Sequence, residues 1–306
     1  MGGVLLPDMN NKTHLISPLL NDKISKEVEV IVLTYNHQDL LARCLDSILH
    51  QKGVDFCRIV VIDDASTDKT KSIILEYAEK YPERIIPQIH TFNHYQLGVS
   101  PVFETLISLN AKFVAFCDGD DYWTDEHKLS KQLALFHSNA QYNLVHTNYI
   151  FEIVGESTTS LLERAQKDID KARITKTAEE FVSGNNVKHS TAMIRHSAIN
   201  EEMLKECVGV RANDWVIYLS ALAKGGEVFF LDEVSTVHRV SSEGSWNGQS
   251  RKEKEKIKNE IYWFAAAKLP HSRLRNSFRR KLFLQHLKEL ISTFKLYQKI
   301  KLKRIV

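Results

Sequence analysis

The chain has 306 residues, of which 43% are hydrophobic, enough for one large α/β domain with an appendage and a sizeable buried core. Its four cysteines, Cys44, Cys57, Cys117 and Cys207, form no CxxC pair and lie mostly in apolar runs, which argues for buried thiols in a reducing compartment and against a disulfide framework or a zinc site. The net charge of +3 conceals an asymmetry: residues 251–306 hold 17 of the 41 Lys+Arg but 4 of the 38 Asp+Glu, a balance of +13, while residues 1–250 hold 24 against 34, or −10.

Residues 1–26 read as a polar leader without the basic region and continuous apolar core of a signal peptide. No apolar run approaches the length of a membrane span, so a cytoplasmic chain is expected, with its basic end drawn to an anionic surface. Val28–Leu33 is an apolar strand, and Thr34-Tyr35-Asn36 turns the chain into a helix with Leu40, Leu41, Cys44, Leu45, Ile48 and Leu49 at helical spacing. A second βα unit follows: strand Arg58–Ile62, turn Asp63–Asp68, and a helix from Lys69 to Tyr81. Arg84–Ile89 is a third strand, whose Pro87 suits a sheet edge. Pro101 opens a helix carrying Val102, Phe103, Leu106 and Ile107.

The next strand, from Phe113, changes character halfway. Its apolar half suits a strand buried on both faces of a parallel sheet, and Asp118-Gly119-Asp120-Asp121 then puts three carboxylates at its end. Open α/β sheets bind ligands at that edge. Anionic oxygens held on one turn repel unless a cation sits between them, and Mg²⁺ or Mn²⁺ prefers such oxygens; a solvated acidic turn is the plain alternative. An EF-hand is excluded, because the sixth and twelfth positions from Asp118 are Trp123 and Leu129 where Gly and Glu are required. Further along, Glu126–Phe136 reads as helix, Tyr142–Phe151 as strand, Glu152–Lys171 as a polar loop over the site, and Val187–Arg195 as strand. Asp214–Ala223 is a helix closed by Gly225-Gly226, and Val228–Leu231 with Val234–Val240 are strands. Alternating β and α implies a largely parallel sheet with right-handed crossovers.

With these acid-tipped strands in place, the chain resembles family 2 glycosyltransferases of the GT-A fold. The likeness rests on Thr34-Tyr35-Asn36, on Val61-Ile-Asp63-Asp64-Ala-Ser-Thr-Asp68, on Asp118-Gly-Asp120-Asp121-Tyr-Trp, and on Asn213-Asp214-Trp215, and covers about residues 27–245. It implies a GT-A domain over 27–250, divided into a nucleotide-sugar half (27–123) and an acceptor half (124–250), followed by a basic helical segment over 251–306. It also implies inverting transfer from a nucleotide-diphospho-sugar, a UDP-sugar by preference, to a glycan or lipid-linked hydroxyl, with Mn²⁺ or Mg²⁺. Carried over residue by residue, Thr34, Tyr35 and Asn36 border the nucleotide, Asp64 with Asp63 meets a uracil-type base, and Asp118 meets the ribose. Asp120 holds the metal with His238 as a further ligand, Arg239 and Asp121 serve the diphosphate or acceptor, and Trp215 walls the acceptor sugar. Asp214, at a positive helix start and separate from the metal acids, is the expected general base.

Each assignment has a plainer alternative: Asp63–Asp68 and Asp214 as helix caps, Tyr35 as packing under the sheet edge. Two positions depart from the common pattern, Leu33 in place of Pro and Asn213 in place of an acid. A sugar-nucleotide pyrophosphorylase requires a glycine-rich loop where this chain has Leu33-Thr-Tyr-Asn-His. A nucleic-acid binding protein is the other competitor, since Phe278, Phe283, Phe294 and Tyr297 lie among the tail's cations, but the tail has no recognisable nucleic-acid motif. The tail from about Leu269 reads as an amphipathic helix for anionic membrane, with Leu282, Phe283, His286, Leu290, Phe294 and Tyr297 on one face, or as a helix packed on the domain or serving a homo-oligomer.

Overall fold

The computed structural model describes residues 26–54, 57–154, 166–171, 177–210, 213–240, 249–270 and 273–287. In chain order these form β1 (Lys26–Thr34), α1 (Leu41–Leu49), β2 (Cys57–Asp63), α2 (Thr70–Lys80), β3 (Ile85–Ile89), α3 (Pro101–Ser108), β4 (Ala111–Asp118), β5 (Tyr122–Trp123), α4 (Lys128–Ser138) and β6 (Tyr142–Ile153). Then come α5 (166–171), β7 (Met193–Arg195), α6 (Glu201–Lys205), α7 (Asn213–Ala221), β8 (Glu227–Val240), α8 (Arg251–Lys268) and α9 (273–287).

One eight-stranded sheet runs β3-β2-β1-β4-β7-β6-β8-β5. Strands β3, β2, β1 and β4 are parallel, as expected. The other half is mixed: β7 is antiparallel to both β4 and β6, β6 and β8 are parallel, and β5 is antiparallel to β8. The sheet is therefore less uniformly parallel than alternation suggested. Alternate side chains of the parallel strands enter two cores: Val30, Val32, Ile59, Val61, Ala115 and Cys117 pack beneath α1, α2 and α4, and Ile31, Val60, Ile62, Val114 and Phe116 pack beneath α3, α6, α7 and α8. This period-two division is why those strands read as continuous apolar runs. Pro87 does lie in the edge strand, and Ser100 caps α3 by accepting from the Val102 amide, with Pro101 in the first turn.

Three segments differ from the reading of the sequence. Of Val187–Arg195 only Met193–Arg195 is strand, because His189–Thr191 forms a 3₁₀ turn whose Ser190 hydroxyl bonds to the acidic edge. The two stretches around Asp232-Glu233 are one strand, β8, with irregular register against β6 where Asn148 donates to Asp232. Of the proposed polar loop, Glu152 and Ile153 continue β6 and residues 166–171 are helical, while residues 155–165 lie outside the described residues.

The basic end is not a separate appendage as far as Phe278. Ile257, Ile261, Tyr262, Leu269, Leu274 and Phe278 are buried in the same core as α7. Phe283 of the expected amphipathic face is exposed, but Leu282 packs against that core; Leu290, Phe294, Tyr297 and the leader lie outside the described residues. No described helix is long and apolar enough to cross a membrane.

Strands β1 and β2 are also joined by a buried ion pair. Glu29 lies opposite Arg58, both almost fully buried, and the guanidinium donates to Glu29 Oε1 through Nε at 2.5 Å. Removing one partner strands the other charge in the core, so Arg58→Met is expected to lower unfolding free energy by about 3–5 kcal/mol. Glu29→Leu/Arg58→Met should recover most of that loss in chemical denaturation. Full stability of the single variant contradicts the argument.

Candidate active site

The parallel register aligns three strand ends: Thr34 sits opposite Asp63, and Leu33 opposite Asp118. Their turns are stitched to one another through the backbone. The Asp64 amide donates to Thr34 O (3.0 Å), the Gly119 amide to Leu33 O (2.8 Å), and the Asn36 amide to Ser66 Oγ (2.8 Å). Asn36 and Ala65 adopt left-handed backbone conformations, with φ of 55° and 64°, a strain that survives only where surrounding bonds enforce it. Gly119 is required by space, because a Cβ there would stand 2.8 Å from Thr34 Cβ and Oγ1.

These contacts assign the sequence-predicted nucleotide residues unequal tasks. Asn36 uses its side-chain oxygen on the Thr67 amide (2.8 Å), and Thr34 Oγ1 meets His37 Nδ1 (3.1 Å), so both hold the turn. Tyr35, 38% exposed, is the aromatic ring left open at this edge. Asp63 is buried and bonded by Ser66, in amide and hydroxyl. Burial raises its proton affinity. Asp64 Oδ1 accepts from the amide and ring of His94, and Oδ2 from the Tyr95 amide. Burial acts to raise its pKa, but those bonds prevail and hold it below the usual carboxylate range. Asp64 thereby pins the loop after β3 to the end of β2.

At the end of β4, oxygens of Asp118, Asp120 and Asp121 all lie within 4.8 Å of one another. Asp118 and Asp120 are half-buried; Asp121 is fully buried. Asp121 Oδ1 accepts from His238 Nδ1 and the Arg239 amide, each at 2.9 Å, and Oδ2 accepts from Ser190 Oγ. Burial would raise its pKa, but His238, Lys188 and the Ser190 hydroxyl together outweigh it and hold the carboxyl well below the usual range. Asp121 is thus an internal anchor and not a group facing diphosphate or acceptor. Asp118 is pushed the other way, first by burial and then by the charges of Asp121 and Asp120. Its amide donates to Ser190 Oγ (3.0 Å). Two hard carboxylates facing an open edge, one of them destabilised as an anion, suit a divalent cation.

His238 has both ring nitrogens engaged, Nδ1 on Asp121 and Nε2 at 2.9 Å from Lys188 Nζ. A lysine ammonium only donates, so Nε2 accepts and Nδ1 carries the hydrogen given to Asp121; ligation by His238 would first require Lys188 to leave. The Arg239 side chain is likewise committed elsewhere: it is buried, donates to Leu40 O (3.0 Å), and stands 5.1 Å from the centre of the Tyr122 ring.

Asp214, in the first turn of α7, accepts from Asn185 Nδ2 (2.7 Å) and the Trp215 amide (2.8 Å). Burial raises its pKa, opposed by those bonds and by Lys188. Its charge in turn adds to the rise in the Asp118 pKa, behind burial and the charges of Asp121 and Asp120. Trp215 does not face an acceptor: it is 3% exposed, with its ring edge-on to Tyr262 in the core. Lys188, Ser190 and His94 were missed in the sequence, where each lies in a short polar stretch with no periodic pattern to mark it.

The crowding at Gly119 yields a test of this edge. Gly119→Ala forces its new methyl into Thr34 and is expected to lower stability by about 1–3 kcal/mol, the usual range for overpacking. A melting temperature equal to the parent's would show that the turns have room to separate.

Comparison with known proteins gives a consistent likeness. Residues 29–202 match the sequence model of glycosyl transferase family 2. An uncharacterized protein of Mycobacterium tuberculosis is 27% identical over 225 residues, covering 72% of this chain and 60% of that protein; the chain thus spans about 60% of the length of such relatives. A poly(ribitol-phosphate) beta-glucosyltransferase of Bacillus spizizenii is 30% identical over 97 residues, 31% of this chain and 15% of that one. In fold, the chain is similar to S. aureus TarS residues 1–349 in complex with UDP-GlcNAc, with a TM-score of 0.57 at 18% identity, over 82% of this chain and 71% of that one.

Proposed function

Since the chain belongs to glycosyl transferase family 2, we propose that it is an inverting, metal-dependent glycosyltransferase that moves a sugar from a UDP-sugar to a hydroxyl of a glycan or lipid-linked acceptor in surface polysaccharide assembly. The observation that carries this reading is the cluster of Asp118, Asp120 and Asp121 at the end of β4, with Asp214 a further carboxylate held by Asn185 and the Trp215 amide. The acceptor class is supported by the poly(ribitol-phosphate) glucosyltransferase among its relatives, and the donor by TarS, which was solved with UDP-GlcNAc.

In this reading Tyr35 stacks on the base, Asp64 meets its polar edge, and Asp118 meets the ribose. Asp120, with Asp118, would hold Mn²⁺ or Mg²⁺, which when bound supplies positive charge to the departing diphosphate. The acceptor oxygen bonds to the anomeric carbon from the face opposite the diphosphate. As that bond forms, Asp214 takes the hydroxyl proton, and the carbon–oxygen bond to the diphosphate breaks with its electron pair leaving on the nucleotide. Burial, by raising the proton affinity of Asp214, makes it a stronger base than an exposed carboxylate.

A panel of UDP-, GDP- and dTDP-sugars tests the reading by thermal shift: at least one is expected to raise the melting temperature in Mn²⁺, because a ligand that binds only the folded state stabilises it. Asp120→Ala should abolish the Mn²⁺-dependent part of that shift and keep the fold. No shift with any nucleotide sugar counts against the function itself. Asp214→Asn should preserve donor affinity and reduce turnover by about 10²- to 10⁴-fold. Near-parental turnover would leave Asp214 as a helix cap.

We further propose that the basic end brings the enzyme to the cytoplasmic face of an anionic membrane. Trp263 and Phe283, 67% and 66% exposed, support this, as does Arg280 on the exposed side of α9. Deleting everything from Leu269 would remove the core residues Leu274 and Phe278, so the informative variants are Phe283→Glu/Leu287→Glu and truncation after residue 287. Both are expected to lose flotation with phosphatidylglycerol liposomes at low salt. Failure of the parent chain to float removes the membrane from the reading.

A further inference from the structure

We infer that Lys188 is a further catalytic residue, the fixed cation that meets the diphosphate of the donor. The inference rests on the glycosyltransferase reading above and deepens it, since neither the acid motifs nor the expected ligand His238 requires a lysine here.

The position of Lys188 follows from the turn that carries it. It immediately precedes the 3₁₀ turn His189–Thr191, and that turn is fastened to the acidic edge by Ser190. The Ser190 hydroxyl accepts from the Asp118 amide at 3.0 Å and donates to Asp121, while the Ser190 carbonyl accepts from the Trp123 indole at 2.8 Å. Thr191 Oγ1 closes the turn on the Lys188 carbonyl at 2.7 Å. The lysine backbone therefore cannot drift away from Asp118 and Asp121. Its half-buried side chain reaches Nε2 of His238 at 2.9 Å, and its charge bears on Asp118, Asp121 and Asp214 together.

Among the described residues Lys188 nevertheless forms no ion pair, and its hydrogen-bond partner is a neutral ring nitrogen. A cation held amid three carboxylates but paired with none differs from an ordinary structural lysine. One of its three ammonium hydrogens is used on His238, so the group retains donors for an incoming anion. A donor diphosphate seated beside Asp118 and Asp120 is the anion whose place in the site fits that charge, and its negative charge grows as the sugar leaves. Arg239 does not fill the role in this arrangement, because its guanidinium is buried on Leu40 and Tyr122.

The alternative is that Lys188 only positions His238, and with it Asp121. Calorimetric binding of UDP and UMP in Mn²⁺ to the full chain separates the two. Lys188→Met keeps length without charge and is expected to weaken UDP by about 10- to 100-fold, the usual loss for a hydrogen bond to a charged group, with UMP little changed. Lys188→Arg should restore most of the UDP affinity. Inorganic pyrophosphate with Mn²⁺ serves as a probe independent of the base and should follow UDP. If Lys188→Met is too unstable to titrate, Lys188→Gln is measured in its place.

Equal losses for UDP and UMP mean a positioning role and overturn the inference, as does parental affinity in both variants that lack the charge. If nucleotide sugars bind and turn over but Lys188→Met does not discriminate UDP from UMP, the inference falls alone. Binding of neither pyrophosphate nor any nucleotide to the parent chain removes both the inference and the reading beneath it.

Discussion

A carboxylate taken out of water is tolerable only if its lone pairs are met, and the need to satisfy Asp121 organises this end of the molecule. The effective penalty for an uncompensated buried ion is several kcal/mol. Asp121 meets it with Ser190, 69 positions away, and with His238 and the Arg239 amide, 117 and 118 positions away. Three segments that share no local sequence relation are thereby held at one point: the tip of β4, the turn before β7, and the end of β8. The adjacent Asp118 and Asp120 inherit their positions from this anchor. A motif that reads as three equivalent acids is one structural acid supporting two open ones.

That division governs the electrostatics. An anchored, ionised Asp121 lies beside Asp118 and, after burial, is the largest influence raising the proton affinity of Asp118. The acidic edge is thus kept short of positive charge by its own scaffold; among the described residues Lys188 opposes the rise at Asp118, and His37 Nε2 stands 4.0 Å from Asp120. Asp214 shares the influence of Lys188 but draws its hydrogen bonds from a different set, Asn185 and its own helix start. Separate hydrogen-bond networks let one carboxylate take a proton while others stay on a cation, which two acids sharing one network do less readily.

How much of this was legible in the sequence follows the range of the interactions. Strands β1, β2 and β4 were clear because burial on both faces makes a continuous apolar run, and the acids at their ends were clear because a polar cluster interrupts that run. The edge placement of β3 was readable from Pro87, a purely local constraint. Residues 187–195 misled for the opposite reason. Val187, Ala192, Met193 and Ile194 suit a strand, but what bends the segment is the set of bonds that tie Ser190 to Asp118, Asp121 and Thr236. Trp215 beside Asp214 suggested a sugar platform, whereas the helical period turns it toward Tyr262. The basic charge of the tail obscured Leu274 and Phe278, which are core residues.

The backbone at this edge explains how such a charged arrangement is held in place. Parallel register brings the ends of β1, β2 and β4 to the same level, so three turns must leave the sheet through one narrow space. Ordinary turns would collide there. The chain resolves the crowding with a missing side chain at Gly119 and left-handed residues at Asn36 and Ala65, each locked by amides of its neighbours. Asn tolerates that conformation, but Ala65 has no side chain able to compensate its strain, which typically amounts to about 1–3 kcal/mol. The surrounding bonds must therefore over-determine the turn. A turn so constrained resists movement when the acids repel one another, and the charges of Asp121 and Asp120 add to what burial does to the proton affinity of Asp118. Such a site presents its carboxylates already oriented, which in the proposed reaction would spare reorganisation around a cation and diphosphate.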